Sequence, residues 1–219
     1  MAGIVLNDRQ RLDWLRLIRS ESVGPRTFRS LMNRYGGAAA ALEALPDLAR
    51  QAGRTIRICP QAEAEREIAA LDRLGGRLLA LGEGAYPPAL QAIDTAPPLI
   101  AVLGRVDVLL RPCVAIVGSR NASAAGLKFT ARLARDLGEA GFVVVSGLAR
   151  GIDTAVHQGA LRIAGTDPAS TAGVIASGID IAYPPENRDL QEEVATRGVL
   201  IAEQPPGREP LARHFPYRN

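Results

Sequence analysis

Two glycine-bearing segments carry the groups with which a protein holds anions. The first is Gly118-Ser119-Arg120, directly after the apolar run Val114-Ala115-Ile116-Val117, with Ser123 placed to cap a following helix that runs to about Glu139. The second is Ser146-Gly147-Leu148-Ala149-Arg150-Gly151-Ile152-Asp153, which follows Val143-Val144-Val145 and leads into a helical stretch over 154–163. A glycine leaving a strand lets backbone N–H groups and the next helix N-terminus face a ligand with no Cβ between, and serine and arginine add donors. On successive strands of a parallel sheet both turns fall at the carboxyl end, where such sheets bind ligands. Tight strand-to-helix connections need glycine whatever they bind, so the signal is the repetition of Ser and Arg in both turns. Neither turn fits G-x-G-x-x-G or G-x-x-x-x-G-K-[ST], which argues against a dinucleotide or an ATP phosphate chain. Ser146 and Ser177 also lie outside any G-x-S-x-G, so an α/β-hydrolase is not indicated.

Asp153 and His157 stand four apart on one helix face, the spacing of an acid–base pair. No nucleophile sits at a fitting position and only two histidines exist, so Asp153 is expected to cap the helix start and His157 to brace the loop. The closing segment, Leu211-Ala212-Arg213-His214-Phe215-Pro216-Tyr217-Arg218-Asn219, sets guanidinium groups beside aromatic rings. Single-stranded nucleic acid uses both, the cation for phosphate and the ring for base stacking, although a packed loop has the same composition. Tyr183-Pro184-Pro185-Glu186-Asn187 and Pro205-Pro206-Gly207 read as rim loops.

From Pro60 onward helical and apolar segments alternate, the signature of a parallel α/β sheet. A helix is expected over 62–74, and strands over 77–81, 99–103, 113–117, 142–145, 173–176 and 199–202. Several are almost wholly apolar, as strands covered on both faces must be. The prolines of Tyr86-Pro87-Pro88 and Ala96-Pro97-Pro98 predict an extended connection. Before Pro60, apolar residues recur at helical spacing, with Ser22-Val23-Gly24-Pro25 as a turn. That pattern fits a degenerate helix-hairpin-helix, with Ser22 where glycine is expected and Phe28 where a small residue is, and fits a plain packed helix pair as well.

Charge is unevenly spread. Residues 1–58 hold ten arginines against five acidic groups, while the whole 219-residue chain carries only +3. Such asymmetry suits a polyanionic partner or a solvated helical face. The first ten residues lack a signal-peptide pattern and no apolar run reaches the length of a membrane span, so a cytoplasmic location is expected. Cys59 and Cys113 are far apart, without ligands at zinc spacing, and are expected to be reduced, buried apolar residues. No metal or cofactor is implied.

Together, Gly118-Ser119-Arg120, the segment from Ser146 to Asp153, Ala155 through His157, Gly159-Ala160-Leu161, Tyr183-Pro184 with Asn187, and Phe215-Pro216-Tyr217-Arg218-Asn219 resemble the DNA processing protein A (DprA/Smf) family. The resemblance runs from about Tyr86 to the end. It implies a Rossmann-like, mostly parallel sheet over 59–219 preceded by a sterile-alpha-motif-like helical domain over 1–58. It further implies binding of single-stranded DNA during natural transformation, loading of the RecA recombinase, dimerisation through the Rossmann-like domain, and no enzymatic turnover. On this resemblance the phosphate site is Gly118, Ser119, Arg120, Ser146, Gly147, Ala149, Arg150, Gly151 and Arg218. Phe215 contacts a base, and Asp153, His157 and Asn219 brace the loops. Tyr217 departs from the family pattern, which commonly has a basic residue there. The family also continues past Arg-Asn with a helix, further strands and often a small winged-helix-like domain, so the sheet read here is expected to be incomplete. A competing resemblance is to nucleotide-processing hydrolases of the lysine-decarboxylase-like family, whose P-G-G-x-G-T-x-x-E motif is absent. A third reading is an interaction adaptor whose residues 1–58 bind a protein.

Overall fold

Asn7 begins the first helix by accepting the Gln10 amide while Gln10 returns a bond to the Asn7 amide, a capping box that fixes the start of α1 (Asp8–Arg19). A computed structural model describes residues 3–163 and 170–219, so the end of the helical stretch expected over 154–163 is described and residues 164–169 are not. The chain divides into two compact units, residues 1–72 with 78–100, and residues 73–77 with 101–219. The first unit therefore extends beyond the boundary expected at 58/59. Cys59 and the following helix belong to it because the Cys59 amide bonds Ser20 and Arg19 forks onto Glu67.

In the first unit, α1, α2 (Pro25–Tyr35) and α3 (Ala38–Gln51) bury Leu17, Phe28, Leu31, Leu42 and Leu45 in one cluster, and Trp14 meets the Phe28 ring edge-on at 5.0 Å. Ser22 takes a left-handed φ of 63°, which explains why glycine is favoured at that point of a helical hairpin. α4 (Gln61–Arg73) and β1 (Arg77–Ala80) follow. The proline-rich connection expected to be extended contains one helical turn, α5 (Pro88–Gln91), and buried Tyr86 pins it by donating to the Pro97 carbonyl at 2.8 Å.

Every expected strand forms, as β2 (Leu99–Gly104), β3 (Cys113–Ala115), β4 (Val143–Ser146), β5 (Thr171–Gly178) and β6 (Val199–Gln204) after β1. The sheet order is β1-β2-β6-β5-β4-β3. β3, β4, β5 and β6 run parallel to one another, whereas β2 pairs antiparallel with β6. Between them lie α6 (Ala124–Glu139), α7 (Ile152–Leu161) and α8 (Arg188–Arg197), with α9 (His214–Arg218) last. Because β3 to β6 advance one position at a time, right-handed crossovers keep α6, α7 and α8 on one face, and α7 touches both its neighbours. Ala134, Val144, Val156 and Ala160 form the core beneath α6 and α7.

The expectation that Cys113 is buried is corrected. β3 is an edge strand, so Cys113 is exposed and Val117 just beyond it is 80% exposed, while Cys59 is fully buried. Among the described residues, no helix is long and apolar enough to cross a membrane.

Candidate functional site

The two glycine-bearing turns leave adjacent parallel strands and lock together. Ile116 extends the strand pairing by donating to the Val145 carbonyl at 3.0 Å, and the Ser146 hydroxyl returns a bond to the Ile116 carbonyl at 2.8 Å. Ser146 thus spends its proton bracing the first turn. From there the turns diverge in what their amides do.

At the first turn, the Ser119 hydroxyl accepts the Asn121 amide at 3.1 Å, and Ser123 caps α6 by accepting the Gly126 amide, as its position predicts. The amides of Gly118, Ser119 and Arg120 have no hydrogen-bond acceptor among the described residues. Arg120 is exposed and forms no ion pair among those residues; its guanidinium carbon lies 5.8 Å from the Phe215 ring centre. Three consecutive donors and an uncommitted cation at the mouth of a helix are an open anion cradle.

The second turn carries its own anion. Asp153 Oδ2 accepts the amides of Gly147 at 3.2 Å and Ala149 at 3.3 Å, so these two predicted phosphate donors are engaged within the protein. Asp153 therefore braces the turn from inside α7. Asn187, a rim-loop residue by sequence, clamps the same turn: its Nδ2 donates to the Leu148 carbonyl and to Thr154 Oγ1, both at 2.9 Å. That support stabilises Leu148, a buried residue at φ 57°. Gly151, at φ 75° and ψ −119°, starts α7 two residues earlier than the expected 154, and the next amide, Ile152, donates to the Ser119 carbonyl at 3.1 Å. Arg150 points outward and pairs with Glu186, whose carboxyl the arginine holds below the ordinary carboxylate range.

His157 is fully buried on α7, with Nδ1 2.7 Å from Thr171 Oγ1, so it ties α7 to β5. It makes no contact with Asp153 that a catalytic pair requires among the described bonds. Burial pushes its pKa down to about 4. The unfolded chain titrates near 6.5 and so binds the proton more tightly; stability from neutral His157 is complete above pH 6.5 and is lost as pH falls toward 4. The loss should reach about 3 kcal/mol. Urea unfolding of the wild type and of His157→Asn between pH 7 and 4 checks this: the variant should lack that part of the decline.

Arg218 turns inward. Its Nη1 donates to the Val174 carbonyl at 2.9 Å, burial pushes its pKa down, and a Cβ on Gly147 would lie 1.6 Å from Nη1. The guanidinium thus anchors α9 against β5, and α9 carries half-buried Phe215. Asn219 closes that helix by donating its amide to the Phe215 carbonyl at 3.1 Å.

Two adjoining hollows result. One, of about 300 Å³, is rimmed by Arg120, Arg150, Tyr183, Pro185 and Phe215. The other, of about 530 Å³, has an apolar floor of Ala115, Val145 and Val174 below Gly118, Arg120 and Arg218. Arg120, Gly147 and Ala149 line both. Tyr183 and Glu186 were legible only as rim positions in the Tyr-Pro-Pro-Glu-Asn segment. Among the described residues, no group of three or more His, Cys, Asp or Glu side chains is placed to hold a metal ion.

Residues 77–219 match the family model of DNA recombination-mediator protein A, and residues 8–70 match that of a DprA-like N-terminal HHH domain. The second match favours the helical hairpin over the plain helix pair. DNA processing protein DprA of Streptococcus pneumoniae is 42% identical over 137 residues, covering 63% of this chain and 47% of that one. Protein Smf of Synechocystis is 39% identical over 138 residues, covering 61% and 34%. The chain thus spans between about a third and a half of the curated relatives it matches. The X-ray structure of the S. pneumoniae protein superimposes with a TM-score of 0.74 at 26% identity, covering 98% of this chain and 74% of that one. DNA processing protein A of Helicobacter pylori, described for its unique single-stranded DNA binding mode, superimposes with a TM-score of 0.58 at 27% identity, covering 65% and 62%.

Proposed function

Because the chain belongs to the DNA recombination-mediator protein A family, we propose that it binds single-stranded DNA by its phosphates at the Gly118-Ser119-Arg120 turn, in the service of recombination of incoming DNA. The observation that carries this reading is the open cradle itself, three amides and an arginine that have no partner among the described residues, at the carboxyl ends of parallel strands. Arg150 adds a second cation, and Gly147, Ala149 and Gly151 shape the turn that holds it. The H. pylori relative's single-stranded DNA binding supports the choice of polyanion.

Binding proceeds without bond breaking in this reading. Asp153 is committed to two amides and His157 to Thr171, so neither stands as a base beside a nucleophile among the described residues. RecA loading, pairing of two copies through the Rossmann-like unit and a cytoplasmic setting belong to the same proposal. Filament assembly by RecA on a strand pre-coated with single-strand-binding protein, with and without this protein, tests the loading.

Fluorescence anisotropy with a single-stranded oligonucleotide tests the binding. The affinity should fall linearly on a logarithmic salt scale, duplex should compete weakly, and AMP should neither compete nor be hydrolysed. Absence of strand binding at low salt, or turnover of AMP, overturns the reading in favour of a nucleotide hydrolase.

Glu186 competes with phosphate for Arg150 in this scheme. Glu186→Gln is expected to raise strand affinity roughly two- to five-fold at low salt, the scale of an exposed ion pair, and to steepen the salt dependence. The same anisotropy titration reads both effects.

A further inference from the structure

Phe215 is the residue expected to meet a base, yet three groups already lie against it. The Tyr183 ring centre is 5.7 Å away at 53°, the Arg120 guanidinium carbon 5.8 Å and that of Arg218 5.9 Å. Its ring is also only partly accessible. Tyr183, by contrast, is 44% exposed and stands on the rim of the same hollow as Arg120 and Arg150. Tyr217 is more exposed still, at 82%, but it lines neither hollow. Of the two aromatic rings that line this hollow with Arg120 and Arg150, Tyr183 therefore has the freer face.

We propose that Tyr183 supplies the face on which one unpaired nucleobase of the strand stacks, with Phe215 holding the tyrosine ring from behind and Arg120 taking the adjoining phosphate. The inference rests on the single-strand reading and deepens it by assigning a base subsite. A π-face accepts any of the four bases, so the subsite is sequence-tolerant. It also discriminates against duplex, whose base faces are covered by their stacked neighbours. The hollow of about 300 Å³ lies at the small end of ligand pockets and suits a single base.

Anisotropy and fluorescence with a thymine oligonucleotide carrying one 2-aminopurine test it. Tyr183→Leu should bind about ten-fold more weakly or worse, with the salt slope unchanged, and should lose the quenching that stacking gives the 2-aminopurine. Tyr183→Phe should stay within about two-fold and keep the quenching, because the π-face is retained. The wild type alone should lose a similar factor when the oligonucleotide is replaced by an abasic one of equal length. Equal affinity for abasic and thymine strands overturns the proposal whatever the variants do, as does a Tyr183→Leu protein that binds and quenches like the wild type. If strand binding is intact and Arg120→Ala flattens its salt slope while Tyr183→Leu changes nothing, only the base subsite falls. No strand binding by the wild type removes the subsite and the phosphate reading together.

Discussion

Arg120→Ala is expected to weaken binding to every single-stranded sequence by roughly 10- to 100-fold, the loss of a charge-assisted contact of about 1.5–3 kcal/mol. Phosphate contacts position a strand without reading it, so thymine, adenine and mixed strands should lose the same factor. The slope of log affinity against log salt should flatten by about 0.7, the value of one contact on a single strand. Arg120→Lys should recover most of the slope and only part of the affinity, since an ammonium supplies the charge without the fork. Arg120 stands apart because Arg150 is shared with Glu186 and Arg218 is spent on the Val174 carbonyl. Unchanged binding by a folded Arg120→Ala protein would remove the residue from the site.

Gly151→Ala should have the largest effect on stability. At φ 75° and ψ −119° the backbone occupies a region that residues with a Cβ avoid, and the new carbon would lie 2.3 Å from the Ser119 carbonyl oxygen and 2.7 Å from that of Arg120. Both obstacles are backbone, so neither can swing aside. The Ser119 carbonyl also receives the Ile152 amide, and the bond joining the two turns must open. A cost of about 2–4 kcal/mol follows from the strain and the clash together. Thermal unfolding followed by circular dichroism should show the midpoint lowered by roughly 5–15 °C. Strand binding should fall with it, since the substitution displaces the turn that carries Arg120. A variant with wild-type melting would mean that the two turns are not mechanically joined.

The scaffold of this site was legible in the residues themselves. Apolar runs bounded by glycine and proline placed all six strands, and Ser123 placed the start of α6, because these signals are local. What the sequence did not reveal depends on neighbours brought together from afar. Cys113 reads as a core residue beside Val114 and Ile116, but its strand lies at the edge of the sheet. The antiparallel pairing of β2 with β6 likewise belongs to the topology rather than to either strand. Within the site, both turns look alike as strings of Gly, Ser and Arg. Only folding shows that Asp153 fills one of them and leaves the other open. Arg218 gave no sign of its inward turn either, since the space it enters exists only because Gly147, in the turn after β4, has no side chain.

The accessibility of Cys113 offers a practical handle. This chain has two cysteines and the other is fully buried, so a maleimide dye applied to the folded 219-residue chain should attach at one known point. Four residues lie between Cys113 and Gly118, a reach of at most about 16 Å in extended backbone. A fluorophore there stands near enough for energy transfer from a labelled strand, yet outside the turn that would grip it, and the encounter can be timed without altering any of these 219 residues.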